Sequence, residues 1–425
     1  MSRVFLPIFF WICLDKVVLP LPELPLRMIK LDIRHSTSFL INSIFYCCIP
    51  IKFIFKSSDS HYRNHIASLS HQQSSGSSKH ITDSFNINFS VTLSFSKTIY
   101  SIKPNFEHVQ ISAVSTTSSS QAIKSKKFDV TQVLNMQYDE VKHTKGVNFV
   151  GEKGMTYSFI AFKVGKWDEK LGKNVQNPHT KMNNLSLRKA MLHAMNIDQV
   201  NQRFFRGLDY RVNSLIPAQF GKFHDAKVPV YSSNLEKANK LLDQAGYKKD
   251  KQTGYRLQPN GKKLTINLAV HVSDINVEAL WTNYIQEWKK IGLKVKFLTG
   301  RPMEFNNWVN AIKSIDPRID VLSNAWDPSG DPSPAVFYGE KMPYNFAHFV
   351  SPMNNKLLDE IDSKKAFNEK YRVQKMHEWQ QWMYKNAYVV PTTGTYSITA
   401  VNLKITGWSL KPSADVWYEA GFSKN

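Results

Sequence analysis

The chain has 425 residues, which is long enough to bury a large core and predicts more than one domain. Its 55 Lys and Arg residues outnumber its 34 Asp and Glu residues, so the formal net charge is +21. Such a charge can serve nucleic-acid binding, but the sequence holds no recognisable nucleic-acid module. The lysines are scattered along segments that should face solvent, and we therefore expect no nucleic-acid partner.

Residues 1–100 differ in character from the rest of the chain. They begin with an apolar run that looks like a short signal peptide, but Cys13 is not preceded by the small residues of a lipoprotein signal. The other two cysteines, Cys47 and Cys48, also lie here, and no histidines accompany them at the spacing of zinc ligands. We interpret residues 1–100 as an anomalous segment, either unrelated to the rest or disordered, and we predict no metal ion or other cofactor.

From residue 101 onwards, strand-like and helix-like patterns alternate, which is typical of an α/β fold. Phe106–Val114 has the partial alternation of a strand. Later in the chain a strand is predicted over Leu264–Val270, then a helix over Val277–Lys290 and another strand over Leu293–Phe297. A long amphipathic helix over Tyr371–Lys385 precedes a return strand.

The clearest helical pattern runs from Leu187 to Met195, where apolar residues recur at the spacing of one buried helical face. Asn196 interrupts this rhythm before a second helical segment, which is predicted to end at Gly207 because glycine favours the left-handed turn at a helix end. Further on, Ser233 and Glu236 have the S-x-x-E spacing of a capping box, which predicts the start of another helix.

Seven strings follow one another in a recognisable order along the chain. They are LRKAMLHAMNIDQV (187–200), LEKANKLLDQAGY (235–247), PNGKKLTINLAV (259–270), IQEWKKIGLKVKF (285–297), IDVLSNAWDPSGDPSP (319–334), MPYNFAHFVSPMNNKLLDEI (342–361) and YVVPTT (388–393). In this order they resemble the bacterial extracellular solute-binding proteins of family 5, which are peptide-binding components of ABC importers. The resemblance covers about residues 102–425 and is closest to the oligopeptide-binding lipoproteins of lactic-acid bacteria.

This resemblance implies a two-lobed, periplasmic-binding-protein-like fold of type II, truncated at its N-terminus so that one lobe is incomplete. We expect residues 101–165 to be the remnant of the first lobe, 166–388 to form the second α/β lobe, and 389–425 to return to the first. The implied role is capture of oligopeptides outside the cell and their delivery to an ABC permease, by a monomer associated with the cell surface. The surface of the cell membrane is a further candidate partner.

Enzymatic motifs are missing from the sequence. His377 and Glu378 begin like a zinc-protease helix, but Gln381 stands where the second histidine of H-E-x-x-H would be. Neither a nucleophile elbow nor a phosphate-binding or dinucleotide-binding loop occurs. We therefore predict that the chain is not an enzyme.

One stretch is a candidate binding site, Ala325–Pro334, with the sequence AWDPSGDPSP. It follows an apolar strand, and open α/β sheets bind ligands in loops after their strands. An aromatic plane beside a carboxylate suits the N-terminal ammonium of a peptide. By resemblance Trp326 is the aromatic residue and an aspartate grips the amine. Some relatives place that aspartate at the position of Ser329, so Asp327 or Asp331 must substitute, and we favour Asp331.

Tyr344 and Asn345 are secondary candidates because the corresponding segment follows the binding loop in relatives. Several alternatives remain. The stretch around Trp326 could be an Asp-Pro turn with the indole packed in the core. The whole chain could be a folded but non-functional remnant of a binding protein, which would leave sheet edges exposed. A peptidase or a chaperone-like protein is the third alternative.

Overall fold

A computed structural model gives the fold of residues 51–56, 90–94, 105–106, 108–114, 118–273, 276–313, 316–328, 330–411 and 419–423. The apolar run at the start of the chain and the three cysteines lie outside these described residues. Within the described part, no helix is long and apolar enough to cross a membrane.

Fourteen β-strands occur among the described residues. They are β1 (Ile51–Lys56), β2 (Ser90–Ser94), β3 (His108–Ala113), β4 (Val130–Val133), β5 (Val147–Phe162), β6 (Gly165–Asp168), β7 (Lys173–Gln176), β8 (Asp209–Arg211), β9 (Ile266–Ala269), β10 (Val295–Phe297), β11 (Val321–Trp326), β12 (Val389–Asn402), β13 (Ile405–Thr406) and β14 (Gly421–Phe422).

The same part of the chain forms ten α-helices, which confirms the predicted mixture of helices and strands. They are α1 (Ser119–Lys124), α2 (Tyr138–Val141), α3 (Leu185–Ala194), α4 (Ile197–Phe205), α5 (Leu235–Gln244), α6 (Val277–Lys290), α7 (Phe305–Lys313), α8 (Ala335–Tyr338), α9 (Pro352–Ile361) and α10 (Glu369–Asn386).

The chain divides into two compact units. The first comprises residues up to Glu152 together with those from Ser397 onwards, and the second runs from Lys153 to Tyr396. Both changes of unit fall inside long strands, β5 and β12. The lobe boundaries expected after residues 165 and 388 remain a prediction.

In the first unit, β1 lies between β3 and β4 and is antiparallel to both. The strand β2 pairs with the other edge of β3, and residues 398–401 of β12 pair with β4. The strand predicted over Phe106–Val114 therefore has two antiparallel partners, β1 and β2. Val109 and Ile111 of β3 are buried, as the alternation in the sequence predicts.

In the second unit, β9 runs parallel to both β10 and β11, and β11 is antiparallel to β5. Parallel strands of this kind need helical crossovers, which α6 and α7 provide. Two shorter pairings complete the unit, β6 with β7 and β8 with residues 393–395 of β12. The candidate stretch Ala325–Pro334 therefore lies at the C-terminal end of β11.

Side-chain amides begin the central helices. Asn184 accepts a hydrogen bond from the Leu187 N–H at the start of α3, and Asn196 does the same for Gln199 at the start of α4. The predicted capping box is wrong by one residue. Asn234 caps α5 by accepting from the Lys237 N–H, because Asn is as good a cap as Ser and stands one position nearer the helix.

The helix α3 belongs to the second unit, and its predicted apolar face is buried. Its residue Arg188 is also buried, and the guanidinium donates to the backbone carbonyls of Met182, Asn183, Asn386 and Ala387. The same group lies over the ring of Tyr388, 4.4 Å from its centroid. One cation thus ties the end of α10 to the start of α3, a role that periodicity did not reveal.

Candidate functional site

The pairing of β11 with β5 positions Trp326. In this antiparallel register Trp326 is opposite Tyr157, and Ala325 is opposite Ser158. The side chain of Tyr157 is buried, whereas Trp326 is half-buried at the last position of its strand. The indole is therefore held by a rigid sheet while part of it stays accessible, which is the usual arrangement of a ligand-binding aromatic residue.

Trp326 is the hub of a cluster of aromatic rings. Its ring is stacked on Phe337 at a centroid distance of 4.8 Å, and Phe346 lies at 5.3 Å. Phe159 lies at 6.0 Å, and Tyr344 meets the indole edge-on at 5.9 Å. Aromatic pairs at such distances stabilise by about 0.5–1.5 kcal/mol each beyond the area they bury. We call these five residues the Trp326 cluster.

The indole Nε1 of Trp326 is buried and has no hydrogen-bond partner among the described residues. Leaving a buried donor unpaired costs about 1–3 kcal/mol. A ligand carbonyl would remove the cost only after the side chains over this N–H had moved aside, because the nitrogen itself has no exposed surface. The cluster therefore offers a flat apolar surface together with one unsatisfied donor.

The carboxylate of Asp327 follows the cluster directly. The Thr156 hydroxyl lies 3.5 Å from its Oδ2. Behind it, the hydroxyls of Tyr157 and Tyr338 are 2.9 Å apart and buried. Burial raises the pKa of Tyr157, and the negative charge of Asp327 raises it further. Both phenols hence stay neutral, and the negative charge at this site belongs to Asp327.

A tightly held loop, residues 339–349, carries the other wall of the cluster. The Asn174 side-chain amide on β7 reaches the backbone carbonyls of Gly339, Glu340 and Met342 at 3.4, 2.8 and 2.9 Å. Its carbonyl oxygen accepts from His348 Nδ1 at 2.7 Å. Because one buried side chain holds both ends of the loop, Asn174 fixes the positions of the rings that the loop carries.

The hydrogen bond to Asn174 also holds the side chain of His348 in place. It has a positive φ of 53°, which is uncommon for a residue with a side chain, and its imidazole is buried. Burial lowers its pKa to about 3, and the charge of Lys163 acts in the same direction. The ring is thus neutral at physiological pH and can donate one hydrogen bond to Asn174.

The structure brings Tyr344 to the predicted site but gives Asn345 another contact. Tyr344 lies against Trp326, and burial raises the pKa of its phenol. Asn345 is fully buried and its amide donates to the Phe349 carbonyl at 2.9 Å, so this side chain holds the loop from within.

Asp331 is placed differently from Trp326 and Asp327. Its side chain is 70% exposed and accepts from the Ser333 N–H at 2.9 Å. It also pairs with Arg372 of α10 at 3.3 Å. Among the described residues, none of its contacts joins it to the Trp326 cluster. Asp327 is thus the aspartate next to Trp326 in the chain, and Asp331 is held by the turn before α8 and by α10.

Sequence reasoning missed the residues that come from elsewhere in the chain. Phe159 belongs to β5, and Phe337 and Phe346 lie beyond the candidate stretch. The alternation in β5 marks Phe159 only as a buried strand residue. No group of three or more His, Cys, Asp or Glu side chains suited to a metal ion is found in the described part of the chain.

Comparison with known families now identifies the class of protein. The model of bacterial extracellular solute-binding proteins, family 5 Middle, matches residues 83–345, which is more than half of the chain. The chain therefore belongs to the bacterial extracellular solute-binding proteins of family 5, and the predicted resemblance is confirmed.

Individual relatives agree with this assignment. The oligopeptide-binding protein OppA of Lactococcus lactis subsp. cremoris (strain SK11) is 38% identical over 326 residues, which are 76% of this chain and 54% of the relative. The chain thus spans about half the length of the curated relatives that it matches. The OppA of Lactococcus lactis subsp. lactis is 37% identical over the same shares of the two chains.

Solved structures confirm the periplasmic-binding-protein-like α/β fold. Lactococcal OppA, complexed with an endogenous peptide in the closed conformation, is 36% identical and superposes with a TM-score of 0.73 over 78% of this chain and 62% of that one. AppA from Bacillus subtilis, in complex with a nonapeptide, gives a TM-score of 0.64 at 16% identity over 79% of this chain and 64% of that one, which is a likeness of fold.

Proposed function

We propose that this chain captures oligopeptides outside the cell and delivers them to the permease of an ABC importer, without catalysing a reaction. It acts as a monomer at the cell surface. The N-terminal end of the peptide lies against the Trp326 cluster, with its ammonium near Asp327. Tyr344 closes the edge of this contact, whereas Asp331 and Asn345 maintain the surrounding loops.

The observation that carries this proposal is the combination of an accessible indole, an unsatisfied Nε1 donor and a carboxylate one residue away. A peptide terminus has a complementary group for each. The first side chain packs on the rings, the ammonium pairs with the carboxylate, and the first carbonyl accepts from the indole once the side chains over Nε1 have moved aside. The names of the lactococcal relatives, which are oligopeptide-binding proteins, point to the same ligand class.

Calorimetric titration of the full chain tests the proposal. Short peptides of mixed sequence should bind saturably, and the same peptides with an acetylated N-terminus should bind about 10- to 150-fold more weakly, since a charge-assisted hydrogen bond contributes about 1.5–3 kcal/mol. Recovery of the intact peptide at the end of the titration excludes peptidase activity.

Two results would contradict the proposal. A protein that melts cooperatively but gives no saturable heat with any peptide would be a folded chain without a binding function. Equal affinity for free and acetylated peptides would show that the carboxylate does not recognise the amine, although peptide capture itself would stand.

A further inference from the structure

The side chain of Phe367 is 94% exposed, more than any other large apolar side chain for which the structure gives an exposure. It ends a short 3-10 turn, Lys364–Phe367, that joins α9 to α10. Partly exposed apolar residues are common on protein surfaces, but a phenyl ring with almost no protein contact leaves nearly all of its area in water.

The turn that carries Phe367 is well ordered by its own hydrogen bonds. The Ala366 N–H donates to the Ser363 carbonyl at 2.9 Å, and the Asn368 N–H donates to the Lys365 carbonyl at 3.0 Å. Asn368 also caps α10 by accepting from the Tyr371 N–H at 3.2 Å. Because both sides of the turn are fixed, the ring is held outwards by the backbone.

Several lysines lie within a few positions of Phe367 in the chain. Lys364, Lys365 and Lys370 are exposed, and none of them pairs with an acidic side chain among the described residues. Lys222 reaches the same surface from a neighbouring turn. We call Phe367 and these four lysines the Phe367 corner.

Three of the acidic residues nearby are engaged within the protein. Glu369 pairs with Lys222, and Asp362 lies 3.5 Å from Arg372. Glu360 lies 3.2 Å from Lys375. Asp359 and Lys356 stand one turn apart on α9 and cancel in charge. The three unpaired lysines and the exposed ring of Phe367 are therefore available to bind another molecule.

We propose that the Phe367 corner binds the anionic surface of a lipid bilayer. An aromatic tip inserts at the boundary between headgroups and acyl chains, and the lysines pair with the phosphates around it. The pattern favours lipid over protein because the ring stands alone among cations, whereas a protein-docking surface has an apolar core with polar residues at its rim. The net charge of +21 adds a long-range attraction to anionic membranes.

Sedimentation of the full chain with vesicles tests this proposal. Vesicles with about one third phosphatidylglycerol in phosphatidylcholine should bind the protein, and binding should weaken as salt rises. Phe367→Ser should lower the partition coefficient about tenfold. The double change Lys364→Gln and Lys365→Gln should lower it by about fivefold per lysine and flatten the salt dependence.

A matched control and a second readout keep the test specific. Leu171→Ser alters another exposed apolar residue, 62% exposed and next to Lys170, and should leave binding unchanged. Phe367→Trp should show quenching by lipids brominated in the acyl chains beyond that of the ten native tryptophans. Equal binding by the wild type and Phe367→Ser, with no added quenching at position 367, would overturn the proposal.

Discussion

The two ends of the stretch Ala325–Pro334 have different surroundings. At one end, Trp326 is paired into the sheet opposite Tyr157 and packed among four other aromatic rings. At the other, Asp331 is 70% exposed and shared between the Ser333 N–H and Arg372. The first end has an unsatisfied donor and an accessible ring, whereas the carboxylate of the second already has partners.

This difference shows that residues a few positions apart can belong to separate parts of a structure. The position of Trp326 is set by the register of β11 with β5, which is a long-range constraint. The position of Asp331 is set by a local turn and by α10. Asp-Pro occurs at both ends, so composition alone could not distinguish a binding carboxylate from a turn carboxylate.

The largest effect is expected from Trp326→Ala. Removing the indole takes away the stacking surface and the Nε1 donor, and buried aromatic residues of this kind contribute about 2–4 kcal/mol to binding. We expect peptide affinity to fall about 100-fold in calorimetric titration. Trp408→Ala is the control, because that indole lies in the other compact unit and donates to Thr399. A change of less than threefold for Trp326→Ala would show that the peptide binds elsewhere.

A smaller effect is expected from Asn174→Ala, which removes the side chain that holds the loop with Tyr344 and Phe346. The three carbonyls would keep their backbone N–H donors, but the buried Nδ1 of His348 would lose its partner, and an unmade buried hydrogen bond costs about 1–3 kcal/mol. We expect about 2 kcal/mol loss of unfolding free energy in urea denaturation, together with weaker peptide binding. Asn306→Ala, at an exposed position, should change neither. Unchanged affinity in a destabilised Asn174→Ala would show that the loop does not line the site.

The pH dependence of stability should be smaller still and has a defined sign. The pKa of His348 is lowered to about 3 and that of His271 to about 4, both by burial. The unfolded chain therefore binds more protons than the folded one below about pH 6.5, and stability falls as pH falls. Between pH 7 and pH 5.5 the free energy of unfolding of His348→Gln should fall by about 1 kcal/mol less than that of the wild type, as measured by urea denaturation at each pH.

The exposed His179 provides the control for that measurement. His179→Gln should leave the slope of stability against pH as it is in the wild type. If His348→Gln left the slope unchanged as well, the buried imidazole would not be the group that binds the proton on unfolding.

Local sequence patterns predicted the helices and strands well and the site only in part. The helix predicted over Val277–Lys290 has those bounds in the structure, because apolar periodicity and the flanking residues agree there. The start of α5 was displaced by one residue, since Ser233 and Asn234 are both good caps.

Contacts between distant segments could not be predicted from local sequence patterns. Trp326 and Tyr344 were predicted as site residues, and the structure places them in contact. The part played by Phe159 depends on strand register, and that of Asn174 depends on where the β6–β7 hairpin meets the loop after α8. Neither residue type nor spacing carries that information.

The role of Asp327 is tested by comparing Asp327→Asn with Asp331→Asn in calorimetric titration against one peptide with a free N-terminus. Each change removes one negative charge with almost no change of shape. We expect Asp327→Asn to weaken binding about tenfold, because it removes the partner of the ammonium, and Asp331→Asn to stay within about twofold of the wild type. Weakening by Asp331→Asn together with unchanged binding by Asp327→Asn would contradict this role of Asp327.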